Sequence, residues 1–321
     1  MKSIYGFVHV REKLMRGLFL ACALFSVVAL ATITVFLLAN GLPFIAEIGL
    51  GEFFGTRWAP LSDTPAYGIL SMLVASLYVT ALSVLIGVGI GLFTAICLYK
   101  FCPRWLVSPI RQMVNLLSGI PSVIFGLFGM TVIVPFIRDH ISPSGVGYGI
   151  LSSALVLGIM ILPTIVSVSL DAMQAVPGSY FEGALALGST REQATFRVML
   201  PAAKSGILAG VVLAVGRAIG ETMAVIMVVG NSPEMPVSLF QSVRTLTANI
   251  ALGATEMKGD PERALIATGV VLFVFTLLLN TSFSLLKRDK TEKDDRKSRR
   301  KGKNSTPVAP AKPGSAKEAQ S

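Results

Sequence analysis

Residues 69–99 read ILSMLVASLYVTALSVLIGVGIGLFTAICLY, a run of apolar and small residues without a charged side chain. A helix needs about 20 mostly apolar residues to cross the hydrocarbon core of a bilayer, so this run can span a membrane at a tilt. Its apolar residues are continuous and do not alternate with polar ones, which favours a helix over a barrel strand. The run therefore predicts a transmembrane helix.

Five other stretches of the 321-residue chain carry the same signal. Charged residues make up 14% of the chain, against roughly 25% in a soluble domain. The first stretch is too long for the core of a signal peptide, so we interpret it as an uncleaved span. The predicted spans are 17–39, 69–99, 110–137, 150–170, 206–230 and 264–286. We therefore predict an all-α, polytopic membrane protein.

The predicted domains follow from the same pattern. A short segment, 1–16, precedes a six-span domain, 17–286, and a basic tail, 287–321, follows it. The tail is too polar to bury a core, so we predict that it is disordered.

Lys and Arg residues are concentrated on one side of the predicted spans. They are frequent in residues 1–16, 100–111, 171–205 and the tail, and sparse in the loops on the opposite side. Because Lys and Arg enrichment marks the cytoplasmic side of a membrane protein, we predict that both termini are cytoplasmic. The net charge of +10 mostly reflects this asymmetry. We therefore expect contact with membrane lipid and not with nucleic acid.

The loop 171–205 contains signals for two short helices. Ser179, with Glu182 three residues on, forms a capping-box pattern that predicts the start of the first helix, and Ser189 begins a similar pattern for the second. Gly188 between them predicts a helix stop. Pro201 either ends the second helix or opens the fifth span.

The same loop resembles the EAA loop of ABC-importer permeases, a Glu-Ala-Ala-x3-Gly-x9-Ile-x-Leu-Pro pattern. The matching residues are Glu182, Gly183, Ala184, Gly188, Val198, Leu200 and Pro201. Gly183 replaces the usual Ala and Val198 the usual Ile, which keeps these positions small or β-branched. The resemblance implies the type I ABC importer permease fold, in which this loop is a coupling helix that docks into a separate ATP-hydrolysing subunit.

No ATP-binding P-loop, G-x-x-x-x-G-K-[ST], occurs in the sequence. We therefore expect that this chain binds no cofactor and that a partner subunit uses ATP. A membrane enzyme would need clustered catalytic groups, yet the two histidines, His9 and His140, lie outside the predicted spans. We predict no catalytic residue and no metal ligand, and hence a transport subunit that is not an enzyme.

The predicted fifth span contains two charged residues, Arg217 and Glu221. A charge at bilayer depth costs about 2.5–3.5 kcal/mol. Their spacing of four residues would place both on one helix face, where they could pair. One interpretation is a structural ion bridge, which adds little net stability when buried. We favour the other, in which Arg217 lines a water-filled path and binds an oxyanion while Glu221 is its counter-charge.

Residues 217–224, Arg-Ala-Ile-Gly-Glu-Thr-Met-Ala, also resemble the signature of phosphate-importer permeases, as do residues 119–128. Residues 58–70 and 244–250 resemble outward loops of the PstC-type subunit. This resemblance implies a bacterial inner-membrane permease for phosphate. Its partners would be a PstA-like permease, a PstB-like ATPase dimer and a PstS-like extracytoplasmic binding protein.

The resemblance also implies a set of pathway residues. We expect Arg217 to contact the anion, with Glu221 and Thr222 beside it on the pathway. Pro121 and Ser122 predict either a break in the third span near the pathway or a simple kink.

Two other transport functions share part of this pattern. A permease for molybdate or sulfate would carry the coupling-loop pattern, but Arg-x-x-Gly-Glu-Thr is not expected in its fifth span. A gradient-driven secondary carrier would not need the coupling loop.

Overall fold

The computed structural model describes the backbone of residues 2–304 and the side chains of residues 12–282. Within that part of the chain, six helices are long and apolar enough to cross a membrane, which confirms the prediction of an all-α polytopic membrane protein. These spans are Glu12–Ile48, Leu70–Phe101, Ser122–His140, Ile150–Gln174, Arg191–Gly220 and Asp260–Ser282.

Shorter helices and one small hairpin connect the spans. In chain order the α-helices are α1 (Lys2–Ile48), α2 (Leu50–Phe53), α3 (Leu70–Ile96), α4 (Arg104–Ser118), α5 (Ser122–Phe128), α6 (Val134–His140), α7 (Ile150–Gln174), α8 (Gly178–Ala186), α9 (Arg191–Ala194), α10 (Leu200–Gly220), α11 (Met223–Val228), α12 (Leu246–Gly253) and α13 (Asp260–Asn304). Three π-helical turns, Cys97–Phe101, Gly129–Ile133 and Thr195–Met199, lie within the spans. Strands β1 (Trp58–Ala59) and β2 (Ala66–Tyr67) pair antiparallel.

The connections alternate between two faces of the helix bundle. The coupling face carries α4 and the segment 171–205, and the outer face carries the segments 49–69, 141–149 and 229–259.

Helix α7 forms the centre of the bundle. Two-thirds (67%) of its most apolar window is buried, against 33% for the second span. Close approach to α3 depends on glycine, because a Cβ added at Gly87 would lie 2.7 Å from the Ile161 side chain. A Cβ at Gly91 would lie 2.8 Å from Ile165. These two glycines therefore let α3 and α7 pack backbone to side chain, as small residues do in membrane helices.

Helix α1 continues nine residues beyond the end of the predicted span 17–39 and reaches Ile48. Packing against the last span explains the extension. A Cβ at Gly41 would lie 2.6 Å from the Val270 side chain, and Phe44 is buried with its ring 5.2 Å from that of Tyr67. Gly41 and Pro43 look like loop signals in the sequence, but these contacts hold the segment in the helix.

The third span is broken at Pro121, which is one of the two outcomes predicted from Pro121 and Ser122, and its predicted start at residue 110 is wrong. Helix α4 ends at Ser118, and a new helix begins at Ser122 after Pro121. Pro121 therefore starts the span and does not kink it, because the residue before a proline is disfavoured in helical conformation. Helix α4 is a separate amphipathic helix on the coupling face, with Trp105 and Leu116 exposed.

The last helix extends beyond the predicted span. Helix α13 runs to Asn304, so residues 287–304 are helical where the sequence predicted disorder. Their frequent Lys and Arg residues favour a helix, and the helix is already nucleated by the preceding span. The rest of the predicted tail, 305–321, lies outside the described residues.

Candidate functional site

The predicted coupling loop forms two helices, α8 and α9, but neither starts at its predicted cap. Helix α8 begins after Pro177 and has no side-chain cap. The capping box at α9 belongs to Thr190 and Gln193, where the Gln193 N–H donates to Thr190 Oγ1 (3.3 Å) and the Thr190 N–H donates to Gln193 Oε1 (3.1 Å). The observed N-caps, Pro177 and Thr190, therefore lie two residues before the cap predicted at Ser179 and one residue after the cap predicted at Ser189. A proline already has the backbone angle of a helix start, so α8 begins there without a cap.

The helix stop predicted at Gly188 is confirmed. Gly188 has φ +85°, and the Ser189 N–H donates to the Ala184 carbonyl at 3.1 Å. This is the left-handed turn that commonly ends helices at glycine. A Cβ at Gly188 or at Gly183 would meet no atom within 4 Å. Gly188 is therefore required by its backbone angle, and Gly183 has room for the alanine that is usual in the EAA pattern.

Pro201 does not separate the loop from the fifth span. The helix runs without interruption from Arg191 to Gly220, so the span starts earlier than the predicted residue 206. Leu200 and Pro201 occupy the first positions of α10, directly after the π-helical turn Thr195–Met199. A wider turn accommodates the missing N–H and the ring of a proline inside a helix.

The coupling loop packs on one side and is exposed on the other. Phe181 and Ala184 are buried against Met199, and the Lys100 ammonium lies 4.1 Å from the centre of the Phe181 ring. In contrast, Leu187 is 89% exposed. The charged side chain of Glu182 is also exposed. A single exposed leucine is common on protein surfaces, but Tyr180 and Leu185 of α8 are exposed as well, and grouped exposed apolar residues are typical of a surface that contacts another chain.

The predicted fifth span, 206–230, is broken near its outer end. Helix α10 ends at Gly220, Glu221 is extended (φ −71°, ψ 128°), and α11 begins at Met223. Arg217 and Glu221 therefore do not share a helix face, and within the described side chains no ion pair joins them. The prediction that they pair at helical spacing is wrong.

Glu221 has a different partner at this break. Its Oε1 accepts a hydrogen bond from the Ala224 N–H at 3.2 Å, so the carboxylate caps the N-terminus of α11, where a negative charge is favourable. Thr222 is half-buried at the same break and donates its hydroxyl to the Gly220 carbonyl at 3.3 Å. Arg217 is exposed on the last turn of α10.

The third and fifth spans meet beside the break. A Cβ added at Gly126 in α5 would lie 2.9 Å from the Cα of Ala224 in α11. Pro121 and Ser122 lie at the start of α5, one turn before this contact. The structure thus brings the predicted third-span residues onto a helix that packs against α11.

The outer segment 229–259 folds back into the bundle. The Leu246 N–H donates to Ser76 Oγ at 2.9 Å, and Ser76 lies about 9 Å along α3 from its outer end at 1.5 Å per residue. Thr247 donates its hydroxyl to the Glu221 carbonyl at 3.2 Å. Irregular backbone at this depth is tolerated where protein surrounds it or where it lines a cavity.

The segment 229–259 also carries a cluster of polar residues that the sequence analysis did not predict as part of a site. Its members, Arg244, Thr247 and Asn249, stand in the run 244–250, which resembles PstC-type loops, and no pathway role was predicted for them. A signal was present, because polar residues recur at 244, 245, 247 and 249 next to apolar ones that would be buried in a short helix.

Comparison with known proteins identifies the relatives of this chain. Residues 87–291 match the family described as binding-protein-dependent transport system inner membrane component. YqgH of Bacillus subtilis, a probable ABC transporter permease protein, is 41% identical over 263 residues, which cover 80% of this chain and 85% of YqgH. The phosphate transport system permease protein PstC of Mesorhizobium japonicum is 37% identical over 278 residues, which cover 81% of this chain and 84% of that protein.

A solved structure has the same fold. A chain in the crystal structure of a bacterial alginate ABC transporter superposes with a TM-score of 0.61 at 18% identity, over 88% of this chain and 96% of that chain. The predicted type I ABC importer permease fold is confirmed. Members of this family are transport components and not enzymes, and they work with an ATPase and a binding protein. From this match and these relatives, the chain belongs to the family of binding-protein-dependent transport system inner membrane components.

Proposed function

We propose that this chain is a permease subunit of an ATP-driven ABC importer that takes inorganic phosphate into the cell. The observation that carries the proposal is the break in the fifth span, which holds Glu221 in extended conformation next to Thr222 and one turn from Arg217. Unwound segments within spans are common substrate sites in transporters. Phosphate is the cargo named for PstC of Mesorhizobium japonicum.

Arg217 is the anion contact in this proposal. Its side chain is exposed, and no carboxylate pairs with it among the side chains of residues 12–282. Its guanidinium can therefore offer parallel N–H donors to two oxygens of one anion. Glu221 lies at the break itself, where its negative charge repels the bound anion and so favours its release. Thr222 adds a hydroxyl at the same place.

The segment 178–201 is the coupling element. Helix α8, with Glu182, Gly183 and Ala184, would dock into a cleft of the ATPase, and the turn at Gly188 returns the chain into α9. Leu200 and Pro201 then start α10, which leads to the break. ATP is bound and hydrolysed by a PstB-like dimer, and this chain binds no cofactor of its own.

The remaining partners follow from the family. A PstA-like permease would complete the pathway, and a PstS-like binding protein would deliver phosphate at the outer face. We place the protein in the bacterial inner membrane with both termini in the cytoplasm, because the coupling face is the Lys- and Arg-rich side.

A permease for sulfate or molybdate is the alternative within this family, since a guanidinium binds these oxyanions too. The relative named PstC favours phosphate. A secondary carrier driven by an ion gradient has no observation in its favour, because the exposed coupling loop would then have no partner.

Phosphate uptake in cells tests the proposal. Cells that lack their own high-affinity system would express the complete transporter with this chain, and the initial uptake of labelled phosphate would be measured with excess sulfate or molybdate as competitor. We expect uptake that resists both competitors. Arg217→Gln should reduce uptake at least about tenfold, the effect of losing one charged hydrogen bond, and Arg217→Lys should retain part of it.

A matched control variant, and a measurement of the amount of protein in the membrane, are needed to interpret the uptake of each variant. Arg138→Gln removes an exposed cation that already pairs with Asp139 at 2.8 Å, and it should leave uptake within about twofold of wild type. Phosphate uptake absent from an assembled wild-type complex would overturn the cargo. Normal uptake by Arg217→Gln would make Arg217 a structural residue.

A further inference from the structure

A second cation, Arg244, lies on the outer side of the break. Its Nε donates to the Asn231 carbonyl at 2.8 Å, and its Nη1 donates to Asn249 Oδ1 at 3.4 Å. Arg244 is half-buried and Asn249 is almost fully buried. Two fixed acceptors therefore hold the guanidinium in place and leave its remaining N–H groups without a protein acceptor within the described residues.

The charge of Arg244 is not balanced by the protein. Among the side chains of residues 12–282, no carboxylate forms an ion pair with it. Burial lowers the pKa of Arg244 below its usual value, yet a guanidinium stays charged at neutral pH. A half-buried cation without a counter-charge is unfavourable unless an anion joins it.

Asn249 adds an unused donor beside this cation. Its Nδ2 is buried and has no hydrogen-bond partner in the described part of the chain, although buried polar groups are almost always paired. Because Oδ1 of the same amide accepts from Arg244, the unpartnered Nδ2 lies next to the guanidinium. The two side chains together present only donors, which suits an oxyanion, a group that only accepts hydrogen bonds.

The cluster is tied to the break on both sides. Asn231, which holds Arg244, donates its side-chain amide to the Ile226 carbonyl of α11 at 2.9 Å. Thr247, which lies between Arg244 and Asn249 in the sequence, donates to the Glu221 carbonyl. Arg244 and Arg217 therefore flank the break, one toward the outer face and the other toward the coupling face.

We propose that Arg244 and Asn249 form an outer anion subsite, which receives phosphate before it passes the break and reaches Arg217. This inference rests on the proposed phosphate transport. Two cations on opposite sides of Glu221 would give the anion one binding site in each half of the pathway. Neither site would then need to bind the anion so tightly that its release is slow.

A structural clamp is the competing explanation, since Arg244 also holds the outer segment through its two bonds. The variant Asn249→Asp distinguishes the structural clamp from the anion subsite. The aspartate keeps the size of the side chain and an acceptor for Arg244, so a clamp would persist. The negative charge of the aspartate would neutralise Arg244, and the substitution would also remove the Nδ2 donor. An anion subsite would therefore be lost.

Initial uptake of labelled phosphate by the complete transporter is the test, with the amount of assembled complex measured for each variant. Arg244→Gln and Asn249→Asp should each reduce uptake at least about tenfold at normal complex levels. Arg244→Lys, which keeps the charge, should lie between Arg244→Gln and wild type. Arg57→Gln is the matched control on the outer face, where the side chain is exposed, and should stay within about twofold.

The outcomes separate this inference from the proposed function. Uptake by Asn249→Asp at the wild-type rate, or equal losses in Arg244→Lys and Arg244→Gln, would overturn the subsite and leave a clamp. If Arg244→Gln does not accumulate, the Asn249→Asp result alone decides. A wild-type complex that does not transport phosphate would instead overturn the cargo.

Discussion

The hydroxyl of Thr247 donates a hydrogen bond to the backbone carbonyl of Glu221, with 3.2 Å between the two oxygens. Thr247 belongs to the outer segment and Glu221 to the break in the fifth span. The bond therefore joins the segment 229–259 to the backbone where the proposed anion path is unwound. Movement of either part changes the position of the other.

Thr247→Val tests this connection. Valine has nearly the same shape but cannot donate, and loss of a buried hydrogen bond costs about 1–3 kcal/mol when the acceptor stays unpaired. We expect a lower thermal unfolding temperature for the purified complex and slower phosphate uptake. Thr276→Val is the control, because Thr276 only bonds to the Leu272 carbonyl within its own helix. Equal behaviour of the two variants would contradict a special role for the Thr247 bond.

Glu221→Gln separates the charge of this residue from its capping bond. Glutamine keeps an oxygen that can accept from the Ala224 N–H, so the variant should accumulate in the membrane as wild type does. Phosphate uptake should still fall at least about tenfold, because the negative charge that favours release of the anion is gone. If uptake remains at the wild-type rate, Glu221 acts only as a helix cap.

Gly188→Ala should disturb the coupling loop. The positive φ of Gly188 costs an alanine about 1–2 kcal/mol, although no neighbouring atom would clash with its Cβ. We expect less ATPase to co-purify with the variant and slower uptake. Gly183→Ala is the control: the site has room for the methyl group, and the change should be neutral or stabilise α8 by up to about 1 kcal/mol. A loss of ATPase in Gly183→Ala as large as in Gly188→Ala would contradict this explanation.

Leu187→Ser should weaken docking of the ATPase without destabilising the permease. Leu187 is 89% exposed, and burial of a leucine side chain at an interface contributes about 1.5–3 kcal/mol. The affinity of the purified permease for the ATPase should therefore fall about tenfold or more. Leu61→Ser removes a similarly exposed leucine from the outer face (75%) and should not change this affinity. Unchanged binding by Leu187→Ser would exclude Leu187 from the interface.

The sequence was most informative where a local rule determines the structure. Apolar length identified all six spans, and the glycine rule identified the turn at Gly188. The N-cap of α8 lies two residues before the predicted one and that of α9 lies one residue after it, because several neighbouring residues could each start the helix and only the folded chain selects one of them.

Other features depend on contacts between distant segments and could not be read from local patterns. Glu221 leaves the helix and caps α11, although Arg217 four residues earlier suggested a continuous helix with a paired face. Arg244 and Asn249 come together with the break only because α12 folds back against α3 at Ser76. No apolar window or spacing rule contains that tertiary arrangement.

The uninterrupted helix from Arg191 to Gly220 has a mechanical consequence. Its 30 residues measure about 45 Å at 1.5 Å per residue, and its two ends are the turn at Gly188 and the break at Glu221. A movement of the coupling loop along the axis of this helix would therefore displace the break by a similar distance. The π-helical turn Thr195–Met199 interrupts the α-helical hydrogen-bond pattern of this helix, so bending at that turn would reduce the movement that reaches the break.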